Sequence, residues 1–134
     1  MTAVMSAHDG LSIELTVALE IGILLLAGPG EPEARQAALS YNLSLWRCIA
    51  RLAAGRPDLE DCHGLSQSAA EVAAAGCREM LTERNRRHAR ALATRFTPGA
   101  LRRLLEDWRA SRRTGVDGDF SRWMLDRIEA AAGL

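Results

Sequence analysis

Thr97-Pro98-Gly99-Ala100-Leu101-Arg102-Arg103-Leu104-Leu105-Glu106-Asp107-Trp108 is the stretch that decides the fold class. Its apolar residues Leu101, Leu104, Leu105 and Trp108 recur at i, i+3, i+4 and i+7, with Arg102, Arg103, Glu106 and Asp107 on the other faces. This is the period of an amphipathic helix rather than the two-residue alternation of a strand. Its start is marked too: Thr97 can cap, and Pro98 suits a first turn, where its missing N–H costs nothing.

The same punctuation divides the rest of the chain. Gly28-Pro29-Gly30, Gly55-Arg56-Pro57-Asp58 and Thr114-Gly115-Val116-Asp117-Gly118-Asp119 separate segments of helical length. The second segment, about 32–54, opens on Pro32 and carries the stripe Leu39, Leu43, Trp46, Ala50, extended by Leu45, Ile49 and Leu52. The third, about 66–96, starts with Ser68 and Glu71 at capping-box spacing. It has an apolar face of small residues (Ala69, Val72, Ala73, Gly76, Met80). The last, 119–132, has Asp119 as a cap and Phe120, Met124, Ile128 and Ala131 as its stripe. The first, 11–26, is apolar on nearly every face, which predicts a central helix or one docked on a partner or a second copy. The chain therefore reads as an all-α, single-domain bundle of about five helices over residues 11–134, behind a flexible N-terminus at 1–10.

Composition agrees with this class. The 134 residues suit one domain with an ordinary core, and 48% apolar with 25% charged residues excludes disorder. Only six aromatic residues are present, which disfavours a mainly β fold. The apolar run from Leu11 to Ala27 is interrupted by Glu14 and Glu20, and a span needs about twenty mostly uncharged residues. No membrane association is expected. Cys48, Cys62 and Cys77 form an odd, sparse set, the pattern of free thiols in a reducing compartment, and the N-terminus lacks the basic region of a secretory signal. The expected location is cytoplasmic.

No constellation for catalysis stands out. His8, His63 and His88 fall in separate segments, Cys62-His63 are loop neighbours whose side chains diverge, and Gly28-Pro29-Gly30 is followed by Glu31 and Glu33, which repel phosphate. No enzyme activity, metal or cofactor is expected. Charge is more informative. Seventeen Arg balance seventeen acids with no Lys, yet residues 1–67 carry four Arg against eight acids, net −4, and residues 68–134 thirteen against nine, net +4. Ten Arg face only Glu106 and Asp107 within 84–113. Arg84, Arg86, Arg87 and Arg90 on one basic helix could follow the phosphates of an mRNA, or be a solvated face paired with the acidic half.

Ala38-Leu39-Ser40-Tyr41-Asn42-Leu43-Ser44-Leu45-Trp46 resembles the A-L-x-Y-N-x-x-L-W signature of the flagellar biosynthesis regulator FlaF family of alphaproteobacteria. The order around it is also similar over about residues 11–96: an apolar helix before it, a loop with Pro57 and acidic residues after it, then another helix. The third segment is richer in Ala than the family pattern, and the basic helices after 97 extend beyond the usual length. The resemblance implies a small, cytoplasmic, non-enzymatic helical regulator. Such a protein binds flagellin as a chaperone, or acts with a FlbT-type regulator on flagellin production. It would offer an apolar groove to amphipathic flagellin helices, for which the candidates are Ile13, Val17, Ile21 and Leu24 on the first helix with Tyr41, Asn42, Leu45 and Trp46. From the residues alone, Trp46 is equally suited to an interface and to a core. Two further readings remain from the sequence: an RNA-binding post-transcriptional regulator using the 84–113 segment, and a homodimeric or larger helical module built on the first helix.

Overall fold

The first helix is the axis of the molecule because its sequence leaves it no polar face to give to water. In the computed structural model, which describes residues 2–28, 30–55, 64–95, 97–113 and 119–133, α1 spans Thr2–Leu26. It is followed by α2 (Pro32–Gly55), α3 (Leu65–Ala75), α4 (Arg78–Ala93), α5 (Pro98–Arg113) and α6 (Phe120–Ala132). These helices form one all-α domain, and no strand occurs among the described residues. Helix α1 packs against α2, α4, α5 and α6. One side of it sends Leu11, Leu15, Ala18, Leu19 and Leu26 into the main core, where they meet α2, α3, α4 and α6. The other side sends Ile13 into a second cluster with Ala100 and Leu104 of α5 and Trp123 and Met124 of α6. The central placement expected from the all-round apolar sequence is what the structure contains.

Three helix starts fall where the sequence put them. Pro32 and Pro98 each occupy the first position of their helices, and Asp119 caps α6 by accepting the Arg122 backbone N–H at 2.9 Å. A hydrogen bond from the Ser121 hydroxyl, with that backbone bond second to it, holds the Asp119 carboxyl below its ordinary range. Gly133 closes α6 in the left-handed conformation, φ 77°, that favours glycine.

Three expectations are corrected. The segment read as one helix over 66–96 is two helices, α3 and α4, which brings the helices among the described residues to six. The break falls at Gly76, where a side chain would place Cβ 2.7 Å from the Val72 carbonyl oxygen and 3.1 Å from Leu43 Cδ2. The first of these contacts is with the backbone of α3 itself, so a side chain would have to shift the end of that helix. The capping box of Ser68 and Glu71 does not form either. Helix α3 starts at Leu65, placing Ser68 inside it with a backbone bond to the Gly64 carbonyl. Lastly, α1 begins at Thr2 and not at the Leu11 expected for the first segment.

Candidate partner-binding site

The nonapeptide on α2 points inward. Ala38, Tyr41, Asn42, Leu45 and Trp46 are buried and Leu39 is partly buried, whereas Ser40 and Leu43 are exposed and Ser44 lies between. Of the expected α2 stripe, Leu43 and Ala50 therefore face outward, and Tyr41, Asn42 and Cys48 take interior places. Burial raises the Cys48 thiol above its ordinary range, so it is a packing group and a poor nucleophile.

A polar network runs through this interior and ties three helices together. Asn42 Nδ2 donates to the Ala38 carbonyl at 2.8 Å and across to the Gly22 carbonyl of α1 at 3.3 Å. Asn85 of α4 donates to Asn42 Oδ1 at 2.7 Å and to the Leu19 carbonyl at 3.2 Å. Its own oxygen accepts the Trp46 indole N–H at 2.7 Å. Tyr41 donates its hydroxyl to the Ala18 carbonyl at 3.0 Å, and burial, with the Asp119 carboxylate adding, pushes its phenol well above the ordinary value. Buried polar groups that all find partners favour one arrangement of the helices over sliding alternatives. Gly22 is the residue that permits this, since a Cβ there would sit 2.5 Å from Asn85 Nδ2 and closer still to Asn42 Oδ1.

The network continues at lower depth. His88 of α4 lies edge-on to Trp46, with ring centroids 5.6 Å apart, and its Nε2 is 2.7 Å from Ser68 Oγ of α3. Arg87 donates to the same hydroxyl at 3.0 Å. Ser68 and His88 are both almost wholly enclosed, so this pair couples α3 to α4.

The structure thus divides the candidate partner-binding residues. Tyr41, Asn42, Leu45 and Trp46 belong to the interior, as does Ile13; Val17 and Ile21 are partly buried beside α5 and α6. The apolar face of α1 that looked surplus is covered by the chain's own C-terminal helices. Leu24 alone of the set is well exposed, at 71%. A partner approaching the folded chain meets Leu24, not Tyr41, Asn42, Leu45 or Trp46.

What is open to a partner lies next to Leu24. A pocket of about 280 Å³ sits where the end of α1 meets the start of α2, lined by Leu25, Leu26, Ala38 and Leu39, with Arg35 and Arg78 at its edge. Sequence reasoning missed this site because its two cations come from helices 43 residues apart, counting from Arg35 to Arg78. The signal it could have used was Leu39 lying one turn beyond Arg35 on α2.

The candidate RNA-binding residues are not equivalent. Arg84 pairs with Glu71 of α3 at 3.1 Å and with Glu83, and Arg87 has Glu83 at 4.0 Å besides Ser68. Arg86 and Arg90 are exposed. The basic window began one residue after Glu83, which hid the acid that two of its cations share. Further along, Arg127 of α6 binds Glu14 of α1 at 2.6 Å and lies 4.8 Å from the Trp123 ring centroid. Cys62 and His63 lie outside the described residues, and no helix among those described is long and apolar enough to cross a membrane.

The fold and this site define an all-α domain, with six helices among the described residues, a polar network at its centre and a small apolar pocket with two arginines in its lining. Compared with known proteins, the chain matches no family model, no curated protein and no solved structure.

Proposed function

We propose that this protein is a cytoplasmic, non-enzymatic regulator of flagellum biosynthesis that binds flagellin helices, either shielding them as a chaperone or acting beside a FlbT-type regulator. The observation that supports it most is the burial pattern of the FlaF-like nonapeptide. All six residues that the A-L-x-Y-N-x-x-L-W signature specifies are buried or partly buried, and two of its three free positions are exposed. Tyr41, Asn42 and Trp46 each make a defined hydrogen bond to α1 or α4. A signature whose specified positions carry the interior is one that would preserve a fold. On this reading the motif builds the scaffold, and the partner is met by the surface around Leu24, Leu25 and Leu39.

The RNA-binding alternative has less support, because Arg84 and Arg87 are already engaged with acids and with Ser68. Titration of labelled monomeric flagellin with the purified protein tests the proposal. Binding at micromolar concentration that persists as salt is raised is expected of apolar docking, whereas phosphate contacts weaken steeply with salt. Absence of flagellin binding by the folded protein would refute it.

A further inference from the structure

The pocket at the α1–α2 junction belongs to a longer surface. Arg35, Leu39 and Leu43 follow at i, i+4 and i+8 along one face of α2, a strip of about 12 Å at the helical rise. Leu43 is 40% exposed and its side chain reaches the α3–α4 break at Gly76, two residues before Arg78. Leu25 lines the same pocket and Leu24, next to it in sequence, is exposed, so apolar residues and the guanidinium groups of Arg35 and Arg78 share this surface.

We infer that this groove holds an acidic amphipathic helix of a partner protein, with an apolar side chain in the pocket and carboxylates on Arg35 and Arg78. The inference rests on the helix-binding reading above and adds the chemistry of the occupant. Three features select it. A cavity of about 280 Å³ falls just below the usual range of small-ligand sites, roughly 300–1,000 Å³, and suits one or two inserted side chains. The elongated strip fits the i, i+4, i+7 anchors by which a helix lies in a groove. Arg35 and Arg78 are the charged residues that line the pocket, while Glu31, Glu33 and Glu79 near them in sequence lie outside its lining, and guanidinium groups pair with carboxylates in a two-pronged geometry. A second copy of this chain offers the exposed pair Leu101 and Leu105 on α5, with Arg102 and Arg103 as well as Glu106 and Asp107 beside it, a mixed face and not an acidic one.

The test uses the full chain, its Arg35→Glu/Arg78→Glu variant and three probes: a labelled helical peptide with a Leu stripe flanked by Glu, the same peptide with Lys for Glu, and dodecanoate. Both arginines are exposed, so the variant should melt with the wild type. Wild type should bind the Glu peptide at least about tenfold more tightly than the Lys peptide, and the variant should reverse that preference. Absence of peptide binding, equal affinity for both peptides, an unreversed preference in the folded variant, or binding of dodecanoate alone would each overturn the inference. Failure here is distinguishable from failure of the flagellin proposal. Flagellin binding wild type and variant alike removes the groove and keeps the function, whereas a charge-reversible peptide preference without flagellin binding keeps the groove and removes the function.

Discussion

Replacing Gly22 by Ala inverts a general rule, and the inversion can be worked out from the structure. In an exposed helix interior the change stabilises by about 0.5–1 kcal/mol, because Ala has less backbone freedom to lose. At position 22 the added methyl would lie 2.5 Å from Asn85 Nδ2 and nearer still to Asn42 Oδ1, and both side chains are fully buried. Neither can swing into solvent, so the cost is that of overpacking, about 1–3 kcal/mol, plus at least one buried hydrogen bond left unmade at about 1–3 kcal/mol. Subtracting the gain in helix propensity leaves a net loss of about 1–5 kcal/mol, centred near 3. With unfolding entropy of about 2.1 cal/mol/K per residue, a loss of about 3 kcal/mol lowers Tm by about 10 °C in a chain of this length. Thermal melts followed by circular dichroism read this directly, with Gly99→Ala on α5 as the control. A Cβ at Gly99 meets nothing within 4 Å, so that change should be neutral or slightly stabilising. If Gly22→Ala melts at or above the wild-type temperature, the interlocked network is not what holds α1 to α2 and α4.

Two other perturbations probe the same architecture. Trp46→Ala should cost about 3–5 kcal/mol of stability as a core truncation, and Trp46→Phe, which keeps most of the ring but leaves Asn85 Oδ1 without its indole donor, about 1–3 kcal/mol; denaturant titration checks both, and a Trp46→Ala protein as stable as wild type would return Trp46 to the interface role. Asp119→Ala should cost about 0.5–2 kcal/mol through loss of the α6 cap, whereas Asp119→Asn keeps the cap without the charge. Because the folded state holds the Asp119 carboxyl low, its contribution is present above the unfolded-state pKa and disappears as pH falls through the folded-state value. The stability difference between wild type and Asp119→Asn should therefore shrink on acidification, and a pH-independent difference would remove the ionised cap from the account.

Helix class was legible because it depends on spacing along the chain, a local property. The starts at Pro32, Pro98 and Asp119 were legible for the same reason, since a cap or an N-terminal proline acts within one turn. The split at Gly76 was not. A glycine in a helical pattern is compatible with a continuous helix, and spacing alone does not say that the backbone leaves the helix here, where a Cβ would lie 2.7 Å from the Val72 carbonyl oxygen. The candidate site was legible only at its edge, at Leu24, because the remaining choice depended on which elements cover which faces.

The sequence by itself determined that the protein is helical, that its first helix has no face suited to water, and that an unusual cluster of Tyr41, Asn42 and Trp46 sits on the second. Those are statements about composition and periodicity, and they hold wherever the helices go. Only the tertiary structure decided that the cluster turns inward. Asn42 is buried because Gly22 and Asn85 stand opposite it, and Trp46 because Asn85 accepts its N–H. Each of these residues alone fits an interface as well as a core. A side chain that carries both apolar area and a hydrogen-bonding tip is stable in either setting, so its role is chosen by the partner that satisfies the tip, and that partner lies 20 to 43 residues away along the chain.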